Sequence, residues 1–280
     1  MRRLETIAEV HEWRRQVKGS LGLVPTMGFL HEGHLSLVRR ARTENDVVAV
    51  TIFVNPAQFG PREDFAAYPR NLPRDLALLE REKADLVFTP DRAEIYPQGY
   101  QTYVTVERLS GPWEGASRPG HFRGVAAVVT KLFTLFMPDR AYFGQKDYQQ
   151  LLVVRRLARD LGFPLTVVGC PIIREPDGLA LSSRNSYLSV AEREAATVLF
   201  RALRAGESAY RAGERSARRL REVVEEVLAQ EPLAKLDYVA VADAETLDEL
   251  DEGGAADAVL CLAVWIGSTR LIDNCLLAQS

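Results

Sequence analysis

Apolar positions along the chain follow two different periods, and the order in which they alternate predicts the architecture. Leu21–Pro25 is a short apolar run and Val47–Val54 a continuous stretch rich in β-branched residues. Runs without polar alternation suit strands covered on both faces. Leu35, Val38 and Ala41 or Arg42 recur at helical spacing, and Asn71–Lys83 reads as a helix leading into a strand at Asp85–Thr89. Gly124–Phe136 reads as an apolar helix, Arg140–Phe143 as a strand, Tyr148–Leu161 as a helix ended by Gly162, and Leu165–Ile173 as a further strand. Strands alternating with helices predict an α/β domain with a mostly parallel sheet and helices on both sides, spanning residues 1–173. After Arg174 the pattern changes. Val190–Gln230 is helical and rich in Ala, Arg and Glu, and Leu236–Ala242 and Val259–Trp265 read as strands flanking the polar stretch Asp243–Asp257. Residues 174–280 therefore read as a smaller α+β C-terminal domain, with a hinge near REPDGLALSSRN, where Pro176 and Gly178 break the pattern.

Composition narrows the function classes. The 280 residues are 47% hydrophobic and 26% charged, ordinary usage for a globular chain with a sizeable core. A net charge of −3 provides no global basic field for a nucleic acid. Cys170, Cys261 and Cys275 form no CxxC pair and read as reduced thiols of a cytoplasmic protein. The start, MRRLETIAEVHEWRR, has no apolar signal region. No stretch of ~18 residues is free of charge and apolar enough to span a membrane. Thirty arginines stand against five lysines, which we read as genomic base composition; Lys131 and Lys146 lie in weakly charged surroundings.

Against that background one segment stands out. VPTMGFLHEGHLSLVRR, Val24–Arg40, carries two of the four histidines three positions apart around Gly33. A strand ending at Pro25 and a helix starting near Gly33 or His34 would put this element at a helix N-terminus. Unbonded N–H groups and the helix dipole favour an anion there. Gly33 permits close approach of a phosphate, with His34 in the first turn and His31 in the loop as donors. An ordinary pair of surface or core histidines fits the same residues, while a zinc pair fits less well because HExxH requires i,i+4 spacing. YFGQKDYQQ places Lys146 just beyond a predicted strand, where open α/β sheets bind ligands, although Gly-Gln-Lys-Asp also suits a surface turn. LALSSRNSYLS offers two hydroxyls and Arg184, or merely a helix cap at Ser182 and Ser183.

The stretches PTMGFLHEGHLSLV, TIFVNPAQFGPREDFAAYPR, RPGHFRGVAAVVTKLF, FGQKDYQQL, REPDGLALSSRNSYLS and GSTRLIDN together resemble the pantothenate synthetase (pantoate–β-alanine ligase) family of the nucleotidylyltransferase superfamily, over almost the whole chain. HxGH and SSRN also resemble the HIGH and KMSKS motifs of class I aminoacyl-tRNA synthetases, which alone would indicate only the superfamily. The resemblance implies a Rossmann-like N-terminal domain, a smaller C-terminal domain acting as a lid, a homodimer, and the substrates ATP, pantoate and β-alanine with Mg²⁺. It implies a pantoyl adenylate that the amine of β-alanine then attacks. A related HxGH nucleotidylyltransferase with another acceptor, and a non-catalytic nucleotide-binding module, are the rival readings.

Carried over by position, the resemblance implies catalytic roles for His34, His31, Lys146 and Arg184. It implies ATP contacts from Met27, Gly28, Phe29, Leu30, His31, Glu32, Gly33 and His34, from Gly144, Gln145, Lys146 and Asp147, and from Ile173, Leu181, Ser182, Ser183 and Arg184. Gln58 and Gln150 match pantoate ligands, with Pro25, Met27 and Phe53 as an apolar wall and Gln58 also near β-alanine. Asp75 matches an acid near the metal, with the ion held mainly by ATP and water. Arg74 stands where the family sometimes has an acid, and Leu181 where it often has methionine. His121 and Arg123 would lie on a loop over the site, and Gly60–Arg70 would be a closing element that excludes water from the adenylate.

Overall fold

The computed structural model describes residues 1–61, 63–250 and 257–277. The chain divides into two compact units, Met1–Gln145 with Gln149–Pro171, and Lys146–Tyr148 with the chain from Ile172 onward. Arg62 of the expected closing element and residues 251–256 of the expected polar stretch lie outside the described residues.

In the first unit the strands are β1 (Arg2–Leu4), β2 (Leu21–Thr26), β3 (Val47–Ile52), β4 (Leu86–Phe88), β5 (Arg140–Gly144) and β6 (Thr166–Cys170). They form one parallel sheet in the order β1-β4-β3-β2-β5-β6. The helices are α1 (Ile7–Gln16), α2 (Glu32–Glu44), α3 (Leu72–Arg81), the short α4 (Arg92–Ile95) and α5 (Glu114–Ser117), α6 (His121–Phe136) and α7 (Tyr148–Asp160). Alternating side chains of the strands feed two cores. Leu21, Leu23 and Ala49 pack with Trp13 of α1, Phe133 and Phe136 of α6 and Leu151 of α7. Val24, Val48 and Val50 pack on the other face with Val38 of α2 and Leu79 of α3. Chain order reverses at β2, whose neighbours are β3 and β5. In such sheets the crevice beyond the carboxyl ends of the strands at the reversal is the usual ligand position. The segment after β2 carries HEGH, and the segment after β5 begins Gln145-Lys146.

The second unit holds an antiparallel sheet, β7 (Ala234–Asp243), β8 (Ala258–Ile266) and β9 (Thr269–Leu277), in that order. Helices α8 (Val190–Ala195), α9 (Val198–Arg211) and α10 (Ala217–Leu228) precede it. Leu199 and Leu203 of α9 and Leu220 and Val224 of α10 share a core with Leu260 and Leu262 of β8. The stretch Val190–Gln230, expected to be helical, forms three helices, with a turn at Gly213 (φ 105°) closing α9. The pattern also missed β1, α1 and β9.

Candidate active site

The HEGH element is shaped by residues distant in sequence. Beyond β2, Gly28 (φ 82°) and Phe29 (φ 49°) both adopt the left-handed region, which a β-carbon disfavours. A methyl group on Gly28 would stand 2.9 Å from Ile52 Cγ2 and 3.1 Å from Asp75 Oδ2. The turn is held by Asp75 of α3, which is 1% exposed: Oδ2 accepts the Phe29 N–H at 2.7 Å and Oδ1 the Leu30 N–H at 2.8 Å. Both oxygens of one carboxylate thus serve a single turn. Burial pushes the Asp75 carboxyl upward, opposed by these two backbone bonds and by Arg74. Arg74 also donates to the Leu30 carbonyl at 3.0 Å, and its guanidinium lies 5.5 Å from the Phe29 ring centre.

Helix α2 starts one to two residues earlier than the spacing implied, with His31 as its N-cap and His34 in its first turn. The His31 carbonyl accepts from His34 N at 2.8 Å and from Leu35 N at 3.1 Å, and the two ring centres lie 4.1 Å apart with their planes tilted by 39°. His31 N–H donates to His34 Nδ1 at 3.4 Å, a long bond. A ring nitrogen that accepts carries no proton, so neutral His34 holds its hydrogen on Nε2.

A second cluster surrounds Gln58. It closes the 3₁₀ turn Pro56–Gln58, which Asn55 caps. Asn55 Nδ2 donates to Gln58 Oε1 and to the Gly124 carbonyl, both at 3.0 Å, while its Oδ1 accepts from Tyr96 OH at 2.8 Å. Gln58 Nε2 donates to Met27 Sδ at 3.3 Å. A β-carbon on Gly124 would stand 2.2 Å from the Ala57 carbonyl oxygen and 2.5 Å from Gln58 N, so α6 approaches this turn only because residue 124 is glycine. Gln58 is therefore buried, not a surface loop residue.

His121 and Arg123 are not on a loop. Both lie in the first turn of α6, because Gly120 (φ 87°) caps the helix directly before His121. The His121 Nδ1–H donates to the Gln58 carbonyl at 2.9 Å, and its Nε2 faces Arg118 Nη1 at 3.2 Å. Burial, helped by the Arg118 charge, lowers the His121 pKa to about 4. Arg118 is itself paired with both carboxylate oxygens of Glu63, at 2.6 and 3.0 Å. That pair ties the expected closing element Gly60–Arg70 to the segment leading into α6, and Phe59 packs edge-on against Phe65 and Tyr68. Arg123 lies 3.8 Å from the Tyr103 ring centre.

Gln150 is half-buried in the first turn of α7, and its neighbour Gln149 is buried. Gln149 Nε2 donates to the Leu109 and Pro112 carbonyls at 2.8 Å each, and its Oε1 accepts from Glu114 N at 3.2 Å. Phe53 is buried and Pro25 and Met27 half-buried. Gly144 ends β5, and Gln145–Asp147 is a 3₁₀ turn.

In the second unit, Ser182 caps the 3₁₀ turn Ser183–Tyr187, its Oγ accepting from Arg184 N at 3.2 Å. The helix-cap reading of SSRN is thus realised alongside any ligand role. Leu181 N donates to the Ile173 carbonyl at 3.0 Å, closing a hairpin that delivers this turn. Lys146 is mostly buried, with Nζ 3.9 Å from Asp147 Oδ1. Asn274 Nδ2 donates to the Lys146 carbonyl at 2.8 Å, and Tyr148 OH to the Ala244 carbonyl at 2.8 Å.

Among the described residues no group of three His, Cys, Asp or Glu side chains is placed to hold a metal ion. Asp75 already gives both oxygens to the Phe29–Leu30 turn, so the donor set does not fit a protein-held Mg²⁺. Sequence reasoning missed Asn55, the organiser of the Gln58 cluster. Its signal was the Asn-Pro step in FVNPAQF, a turn-capping pair.

A profile of the family described as Pantoate-beta-alanine ligase matches residues 2–276. The chain is 62% identical to the pantothenate synthetase of Roseiflexus sp. (strain RS-1) over 277 residues, covering 99% of each. The fold matches crystal structures of two relatives. Pantothenate synthetase from Thermus thermophilus superposes with a TM-score of 0.95 at 51% identity, covering 100% of both chains. A pantoate-beta-alanine ligase from Francisella tularensis, complexed with beta-gamma ATP and beta-alanine, gives 0.82 at 35% identity, covering 99% of this chain and 98% of that one.

Proposed function

Because this chain belongs to the pantoate–β-alanine ligase family, and is a ligase that uses ATP, we propose that it joins pantoate to β-alanine through a pantoyl adenylate. A carboxylate oxygen of pantoate bonds to the α-phosphorus of ATP as the bond to pyrophosphate breaks. The neutral amine of β-alanine then bonds to the acyl carbon, AMP leaves with the electron pair of the acyl–oxygen bond, and the amine loses its proton.

The observation that carries this reading is the HEGH turn, fixed by Asp75 and leading into the His31–His34 pair at the N-terminus of α2. Negative charge grows on the α-phosphate and on the leaving pyrophosphate, and preorganised donors aimed at that charge are the largest catalytic contribution such a site makes. We assign His34 as this donor, with His31, Lys146 and Arg184 as further cationic or hydrogen-bonding groups. Met27–His34, Gly144–Asp147, Ile173 and Leu181–Arg184 are assigned to the nucleotide. Gln58 and Gln150 are assigned to pantoate, with Pro25, Met27 and Phe53 against its methyl groups and Gln58 also near β-alanine. Neutral amides orient a carboxylate while quenching its nucleophilicity less than an arginine would. The fixed orientation of Gln58, held by Asn55, His121 and Gly124, supports its assignment. Mg²⁺ enters with ATP, on phosphate oxygens and water. We place the enzyme in the cytoplasm, which three cysteines carried as thiols suit, and as a homodimer.

The test is ATP–pyrophosphate exchange without β-alanine. Exchange that requires pantoate supports the adenylate; AMP formation only when both substrates are present, with no exchange, would refute it.

A further inference from the structure

The RLIDN segment of β9 is absorbed by none of the assigned roles, yet it reaches the backbone of Lys146. Asn274 is 3% exposed, and its amide nitrogen donates to the Lys146 carbonyl at 2.8 Å. Lys146 sits in a single 3₁₀ turn, Gln145–Asp147, too short to define its own geometry. Fixing its carbonyl fixes the plane of the Lys146–Asp147 peptide, and with it the direction in which the ammonium stem leaves the backbone.

Asn274 is itself rigidly held. Its backbone N–H donates to Asp273 Oδ1 at 2.8 Å, and its carbonyl accepts from Arg174 Nη2 at 3.4 Å. Asp273, 2% exposed, takes both ends of the Arg174 guanidinium, at 2.6 and 2.9 Å. Arg174 also donates to the Gly178 carbonyl at 3.0 Å and lies over the Phe200 ring, anchoring the hairpin whose far strand runs into Ser182. A buried, fully bonded support of this kind is what a precisely aimed group requires.

The geometry points to Asn274 as a positioning residue for Lys146, with Asp273 and Arg174 as its base. The inference rests on the assignment of Lys146 to the nucleotide phosphates. It predicts that the amide acts on ATP-dependent adenylation and not on the β-alanine half-reaction.

The experiment is a double-mutant cycle on the full-length enzyme, read by pantoate-dependent ATP–pyrophosphate exchange and by KM for ATP and for β-alanine. Asn274→Ala should lower kcat/KM for ATP about 10- to 100-fold, since a misplacement of about 1 Å costs up to about 100-fold, and leave KM for β-alanine unchanged. In the Lys146→Ala background the same change should cost less than about threefold, because the group it aims is gone. Should the alanine variant not fold, the cycle is run with Asn274→Asp, which keeps the shape and sets an oxygen against the Lys146 carbonyl. Equal losses in both backgrounds, or no loss from Asn274→Ala where Lys146→Ala is impaired, would overturn the positioning role. A Lys146→Ala enzyme as active as wild type would instead remove Lys146 from the phosphate site, and this inference with it.

Discussion

Acidification should expose the cost of keeping His121 neutral. The residue is 8% exposed, its Nδ1–H is committed to the Gln58 carbonyl, and its Nε2 faces the Arg118 guanidinium, which leaves no room for a second proton. Burial first, and the Arg118 charge second, take its pKa from 6.5 to about 4, with the hydrogen bond to the Gln58 carbonyl, then Glu114 and Glu63, pulling the other way. Between those two values the unfolded chain binds a proton that the folded chain does not. Stability must then rise with pH from about 4 to about 6.5 and level off above. Integrated over that window the effect is about 3 kcal/mol, at 1.36 kcal/mol per pKa unit. For a unit of this size, about 2–4 °C per kcal/mol makes the slope roughly 3–5 °C per pH unit. Carboxylates titrate in the same range, so the measurement is a difference. Melting temperatures of wild type and His121→Asn are compared from pH 7.5 to 4.5. Asparagine keeps a donor for the Gln58 carbonyl and cannot be protonated, so its curve should be the flatter by that slope. Parallel curves would refute the reasoning, and with it the claim that His121 is held neutral in this cluster.

Removing the Asp75 carboxylate takes the acceptor from the buried Leu30 N–H and the part-buried Phe29 N–H, so Asp75→Ala should cost about 1–4 kcal/mol in chemical denaturation; it should also raise KM for ATP, and an unchanged KM would separate the turn from nucleotide binding. Gly124→Ala drives a methyl group into the Ala57 carbonyl. It should lower stability by about 1–3 kcal/mol in the same assay and raise KM for pantoate by displacing Gln58. His34→Ala should reduce turnover roughly 10²–10⁴-fold in steady-state assays, and full activity would exclude it as the donor.

The sheet was readable because β2 and β3 are apolar on both faces, and α6 because its apolar positions are nearly unbroken. Three residues of β1 carry too little pattern to register, and β9 hides behind Arg270, Asp273 and Asn274, polar residues whose partners lie 33, 99 and 128 positions away. The helical stretch Val190–Gln230 breaks at Ala196–Thr197 and at Ala212–Ser216, where composition stays helical but the chain must turn back onto its own sheet. HEGH, Lys146 and SSRN were legible as motifs. Their supports were not, since Asp75, Asn55, His121 and Asn274 act through contacts spanning three to more than a hundred residues. Local spacing holds no trace of the distant partners, and of these supports Asn55 alone, three residues from Gln58, left a local signal in its Asn-Pro step.

The Phe29–Leu30 turn takes its shape from a carboxylate about 45 positions downstream. HEGH is therefore not a portable cassette: transplanted to another strand–helix junction it would bring the imidazoles but not the turn that aims them. A nascent chain likewise gains this turn only after α3 has emerged and docked.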